Sequence, residues 1–329
     1  MSATPPADDT TVVLPPKKSR TGLIIGAVVV VAAIIAAVVF FINLNAPAAT
    51  PEAEGSNAIT EGLGSADQPV RIGTVDSSEP YWETFTEAAT AEGISIELVN
   101  FASYPEPNPA LAAGDIDVNQ FQHIVYLGAH NAATGDDIVP IGSTAIYPLG
   151  LYSTQYDSVE DIPDGATVAI PDDPSNLARG LLVLQSAGLV TIEDGGSIFA
   201  TLDQVDEANS RVKVTTLDAA LTVTSLPDVA AAIINNDFVT DAGLTASDAI
   251  AQDDPSDPNA LPYVNIWAAN AEDADNEVLL KLVEIYQTNQ DVLDGVQETS
   301  GGTAVFVITP VADLVASLEK VVADTAEQG

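Results

Sequence analysis

Apolar positions follow two regimes along the chain. Residues 22–44 are apolar except for Asn43 and carry no charge. From residue 70 onward, short apolar runs alternate with stretches of helical period. The first regime is long enough, at about 1.5 Å per residue, to cross a hydrocarbon core of roughly 30 Å. Its N-terminal flank ends in Lys17-Lys18-Ser19-Arg20, and no such basic cluster follows it. The positive-inside rule then makes 1–21 a cytoplasmic tail, 22–44 a transmembrane anchor, and the rest extracytoplasmic. A cleaved signal peptide is the alternative, because Ala46-Pro47-Ala48 resembles a small-residue cleavage site. The apolar run is long for a signal h-region, however, and a proline between the alanines suits cleavage poorly. Residues 45–69 are rich in Ala, Pro, Gly, Ser and Glu without periodicity, the composition of a flexible linker.

In the second regime the pattern predicts strands at 70–75, 95–101, 116–121, 167–171, 212–217, 229–235 and 263–268. It predicts helices over 80–91, from 121 to about 132, from the turn at Pro174 to Gly188, and over 273–290 and 310–324. Residues 138–153 are almost continuously apolar and β-rich, long for one strand. Strand–helix alternation of this kind predicts an α/β fold with parallel sheets and helices on both faces. About 260 residues of such structure suit two lobes better than one.

Charge narrows the function. The chain carries 48 acidic and 9 basic residues. A surface this negative repels phosphate backbones and anionic lipid headgroups, which argues against a nucleic-acid partner. It serves solubility. There is no cysteine, so disulfides, thiolate zinc sites, thiol nucleophiles and a lipidated-cysteine anchor are all excluded. His123 and His130 are the only histidines, and a metal site would have to recruit carboxylates around them. No Walker loop, Gly-x-Gly-x-x-Gly, Gly-x-Ser-x-Gly or His-Glu-x-x-His pattern is present. No cofactor and no catalytic residue are expected.

Candidate chemistry lies in three places. In Asp172-Asp173-Pro174-Ser175-Asn176-Leu177-Ala178-Arg179, a strand ends and a helix begins, with Ser175 or Asn176 as N-cap. Arg179 then falls in or near the first turn, where a cation opposes the helix dipole. Either Asp172 and Asp173 compensate it, or the helix start and the guanidinium together form an anion site. Asn176 and Arg179, three apart, share a face. The second place, Asp115 to Leu127, gathers Asn119, Phe121, His123 and Tyr126 where a strand meets a helix. Ligands sit at such strand ends in open α/β sheets, although a helix cap and ordinary core explain the residues equally well. The third is a pair of amides, Asn235 and Asn265, each within an apolar run, where an unbonded amide is costly.

Together these stretches resemble the NlpA/MetQ family of substrate-binding lipoproteins. The resemblance rests on Tyr104 with Pro107-Asn108-Pro109-Ala110-Leu111, on Gly114-Asp115-Ile116-Asp117 with Asn119, and on Phe121-Gln122-His123 with Tyr126-Leu127. It continues in Tyr147-Pro148, Tyr152-Ser153, Asp173-Pro174-Ser175-Asn176 with Arg179, Gly188-Leu189, Ile234-Asn235 and Pro262-Tyr263-Val264-Asn265. It implies a two-lobed, type II periplasmic-binding-protein fold. With crossings near Tyr147-Pro148 and Tyr263–Ile266, the lobes would be 70–147 plus 265–329, and 148–264. It also implies that methionine or a close analogue binds between the lobes for delivery to an ABC permease and its ATPase. Arg179, Asn235 and Asn265 would grip the amino-acid backbone. Tyr104, Asn119, Phe121, His123, Tyr126, Tyr147 and Asn176 would complete the site. Two features depart from the family: no lipobox cysteine is present, and Asp76-Ser77-Ser78-Glu79-Pro80-Tyr81-Trp82 and Ile124-Val125 differ from close methionine binders. The other readings are a membrane-anchored binding protein for another amino acid or short peptide, a surface adhesin or signalling protein that has lost solute binding, and an enzyme on the same frame.

Overall fold

A computed structural model describes residues 58–257 and 260–328. The expected cytoplasmic tail, transmembrane anchor and most of the linker lie outside them. Among the described residues no helix is long and apolar enough to cross a membrane.

The folded region opens with β1 (Val70–Thr74), α1 (Tyr81–Ala91), β2 (Ile96–Asn100), α2 (Pro107–Ala112), β3 (Val118–His123) and α3 (Ile124–Thr134). β4 (Ile138–Ser143), β5 (Ala145–Ile146), β6 (Gly150–Tyr152), β7 (Thr167–Pro171) and α4 (Pro174–Ser186) come next. β8 (Lys213–Leu217), β9 (Ala231–Ile234), β10 (Ala251–Gln252) and β11 (Asn265–Asn270) follow, and α5 (Glu277–Thr288), α6 (Gln290–Thr299), β12 (Val305–Phe306) and α7 (Val311–Gln328) complete it.

Ten of these strands form two five-stranded sheets, ordered β2-β1-β3-β11-β4 and β10-β6-β9-β7-β8, and β5 and β12 form a two-stranded one. The chain passes from the first sheet to the second through Tyr147-Pro148-Leu149 and returns between β10 and β11. The sheets are mixed, not parallel throughout. β11 lies antiparallel between β3 and β4, and β6 pairs antiparallel with β9 and β10. A strand that enters a sheet from the other one arrives without the right-handed helical crossover that keeps neighbours parallel.

The apolar stretch 138–153 divides into β4, β5 and β6 because it serves three sheets: β4 pairs with β11, β5 with β12, and β6 with β9. The single helix expected over 273–290 ends at Thr288, and α6 starts at Gln290. Asn289 causes the break, since its side chain accepts from Asp291 N and Val292 N and so caps a new helix. The helix at Pro107–Ala112 begins with proline at its first position.

The first sheet packs over an aromatic core of Trp82, Phe85, Trp267 and Tyr286, whose rings lie 5.5–6.5 Å apart. On its other side α7 packs against α3, where a Cβ on Gly128 would stand 2.4 Å from Val321. The second sheet has its own aliphatic core around Val168, Ile170, Leu181 and Leu184. A further cluster joins Tyr104 and Phe121 to Ile234 and Phe238, closing the space between the sheets.

Candidate functional site

β3 and α3 meet at His123, which caps the helix: its Nδ1 accepts from Tyr126 N at 3.1 Å. That bond assigns the ring proton to Nε2, which then donates to Asn176 Oδ1 at 3.3 Å. Burial, reinforced by the charge of Arg179, pushes His123 down to about 3, so the ring is neutral at physiological pH.

Asn176 comes from α4, whose N-cap is Asp173, not Ser175 or Asn176. Pro174 takes the first helical position, where its fixed φ and missing N–H cost nothing, and this moves the cap back by one residue. Asp173 Oδ1 accepts from Asn176 N at 2.9 Å. The start of α4 is thus served by a carboxylate of the chain itself, and Arg179 sits beyond the first turn. Neither Asp172 nor Asp173 pairs with Arg179. Its Nε donates to Asp253 Oδ2 at 2.6 Å, its Nη2 donates to Tyr147 O at 2.7 Å, and the guanidinium carbon lies 4.5 Å from the Tyr263 ring centroid. Arg179 is 6% exposed. Nη1 forms no hydrogen bond among the described residues, which leaves donor capacity for a carboxylate.

Arg179 lines a cavity between the two sheets. Tyr104, Phe121, His123, Tyr126, Tyr147, Asn176, Asn235 and Asn265 line it too, so the structure brings together every residue singled out above except Asn119. Asn119 is fully buried behind the cavity, where its Nδ2 donates to Asn108 Oδ1 at 2.9 Å and its Oδ1 accepts from Gln122 Nε2 at 2.9 Å. Its place is in support of β3 and α2. The aromatic wall is tight, with Tyr104–Phe121, Tyr104–Tyr126 and Phe121–Tyr126 centroids 5.8–5.9 Å apart.

At the end of β9, Asn235 Nδ2 donates to Asn176 Oδ1 at 3.0 Å, while Asn235 Oδ1 is buried without a partner. In the short helix Asn236–Val239, Asp237 also lines the cavity and accepts from Tyr104 Oη at 2.7 Å. Burial first, and the charge of Asp76 second, raise the Asp237 carboxyl to about 7. Ser103 Oγ to Asp218 Oδ2 at 2.8 Å and Thr240 Oγ1 to Glu79 Oε1 at 3.3 Å add further links between the two halves. Sequence reasoning passed over Asp237 and Asp253. An acid directly after the Asn235-Asn236 pair at a strand end was a usable signal for the first. Asp253 lies 74 residues from Arg179 and carries no local signal. Among the described residues no group of three or more His, Cys, Asp or Glu could hold a metal ion.

Residues 70–307 match the family model described as NlpA lipoprotein. The D-methionine-binding lipoprotein MetQ of Escherichia coli K12 is 34% identical over 241 residues, covering 72% of this chain and 87% of that protein. Among solved structures, a nutrient binding protein from Burkholderia cenocepacia bound to methionine is 36% identical with a TM-score of 0.66, covering 72% of this chain and 99% of that one. The substrate binding protein of a methionine transporter from Streptococcus pneumoniae is 34% identical with a TM-score of 0.67, covering 73% and 95%.

Proposed function

The chain belongs to the NlpA lipoprotein family, and from that premise we propose that it is an extracytoplasmic solute-binding protein. It captures methionine or a close analogue and delivers it to an ABC permease and its ATPase. The observation that carries this reading is the donor and acceptor set of one cavity. Arg179 offers guanidinium N–H groups for a carboxylate, and Asn235 Oδ1 is a buried acceptor with no partner. A zwitterion supplies what both need. Tyr104, Phe121, His123 and Tyr126 surround the space left for a side chain, and sulfur against aromatic rings gains about 0.3–1.5 kcal/mol per contact. The two-lobed substrate-binding fold of the structural relatives suits capture, not turnover.

The lobes are 70–147 with 265–329, and 148–264, hinged where the chain passes between the sheets. Mass spectrometry of small molecules released from the denatured domain should identify methionine or an analogue. At 100 times Kd that ligand should stabilise the folded state by about 2.7 kcal/mol in a thermal shift assay. Adding it to the stripped protein should reduce the radius of gyration in small-angle scattering. A panel in which no methionine analogue raises the unfolding temperature overturns this choice of ligand.

The folded region lies outside the cytoplasm, held by the apolar segment 22–44. A lipid thioether is excluded because the chain has no cysteine. Protease added to intact cells should remove the folded region and leave an epitope at residue 1 protected. Recovery from culture fluid of a mature protein beginning at Ala49 would overturn the retained anchor.

A further inference from the structure

A second, smaller space shares Phe121, Tyr147, Asn236, Asp237 and Asn265 with the cavity and forms an annex beside it, with Asp76 and Gln120 among its other walls. Asn265 and Asp237 line both spaces. Asp76 is held in place by three donors: Tyr81 Oη at 2.6 Å, Trp82 Nε1 at 3.0 Å and the Thr74 hydroxyl. Gln120 is 5% exposed, yet its carboxamide has no hydrogen-bond partner among the described residues, and neither has that of Asn265. Neither amide is fully enclosed, so both are free to bond a ligand in the annex. No Lys or Arg lines the annex, and Arg179 in the adjoining cavity is already paired with Asp253. Two carboxylates and two free amides therefore face a small space with no counter-charge.

We propose that this annex holds the ammonium group of the bound amino acid, with Asp237 as its counter-charge. Gln120 Oε1 and Asn265 Oδ1 are further acceptors in the annex, Asn235 Oδ1 is one on the side of the adjoining cavity, and Asp76 deepens the negative potential. A primary ammonium suits the site because it offers three donors and no acceptor, and the annex adjoins the cavity where Arg179 takes the carboxylate. This assignment rests on the reading of an amino-acid ligand given above, and it adds a charged residue to the amides that grip the amino-acid backbone.

The test is calorimetry with two probes, methionine and its deaminated analogue 4-(methylsulfanyl)butanoate, on wild type, Asp237→Asn and Asp76→Asn. Asp237→Asn keeps the shape of the side chain and an oxygen for Tyr104. Methionine should bind Asp237→Asn ~10- to 100-fold more weakly, and the analogue should change by less than ~3-fold, since only methionine presents an ammonium. Asp76→Asn should act in the same direction with a smaller effect.

A pH series supplies a second readout. The groups facing Asp237 are Asp76, Glu79 and the phenols of Tyr104 and Tyr147. His123 titrates only near 3. The Asp237 carboxyl, raised to about 7, must lose its proton to pair with the ammonium. Methionine affinity should fall by up to ~10-fold per unit below pH 7 in wild type and stay flat in Asp237→Asn.

Equal weakening of both probes, or unchanged methionine affinity in Asp237→Asn, overturns the assignment while the choice of ligand stands. If methionine fails to bind wild type but another of the twenty amino acids binds with the same Asp237 dependence, the choice of ligand falls and the annex assignment stands. A wild type that binds none of them overturns both.

Discussion

Arg179→Ala is expected to weaken methionine binding by at least ~10-fold, since losing a charged hydrogen-bond partner costs roughly 1.5–3 kcal/mol and each decade of affinity is about 1.4 kcal/mol. The same change should lower stability, because the guanidinium also joins Asp253 to the Tyr147 carbonyl at the passage between the sheets. The loss should fall below the roughly 3–5 kcal/mol of a fully buried pair, because the Asp253 side chain keeps 28% exposure and can rehydrate. Asp253 also still accepts from Leu149 N at 2.7 Å. Asp253→Asn separates the two roles: stability should fall, while the guanidinium stays in the cavity and binding persists. Arg211→Ala is the control for affinity. Arg211 lies away from the cavity, with Nη2 donating to Ile162 O at 2.7 Å and Nε donating to Asp164 Oδ1 at 3.0 Å. It should leave affinity unchanged and cost some stability. Calorimetry and thermal denaturation on these variants decide the matter, and Arg179→Ala binding as tightly as wild type would falsify the carboxylate assignment.

The largest loss of stability is expected from Trp267→Ala. Trp267 is fully buried on β11, with centroids 6.2 Å from Trp82, 5.5 Å from Phe85 and 5.7 Å from Tyr286. Removing a buried indole costs about 3–5 kcal/mol through lost transfer energy and the cavity left behind. For a domain of this size that lowers Tm by roughly 6–20 °C. Trp267 also pairs in register with Gln120 and Gly142 across β11, so its loss loosens the strand that carries Asn265. Trp267→Phe should recover most of the stability. A Tm drop in Trp267→Ala smaller than ~2 °C would refute the assignment of this cluster as the main support of the first sheet.

Much of this protein is legible along the chain because the physics there is short-range. Short apolar runs mark β1, β2 and β7, and Arg179 is the only Lys or Arg among the described residues that lines the cavity. Gly188, at φ 71°, stops α4 where a glycine at that conformation should. The clustering of Phe121, His123 and Tyr126 where a strand meets a helix suited a cavity and an ordinary core alike, and the structure places them with Tyr104 on a cavity wall. Asn119 shows the limit of that reasoning. It lies in the same strand as Phe121 and His123, yet its side chain turns into the amide cluster with Asn108 and Gln122.

The sequence by itself determined most of the principal strands and helices, the acidic composition and the lack of thiol chemistry, since each depends on residue type and near-neighbour spacing. Tertiary structure alone decided which charges meet. Arg179 had two acids nearby in sequence but pairs with Asp253, because the cap at Asp173 turns the local carboxylates away while the return from the second sheet brings Asp253 to the guanidinium. Asp76 and Asp237, on different halves of the fold, face one annex for the same reason. Electrostatic partners are chosen by distance in space, and that distance is set by where the chain crosses between sheets, which local pattern does not encode.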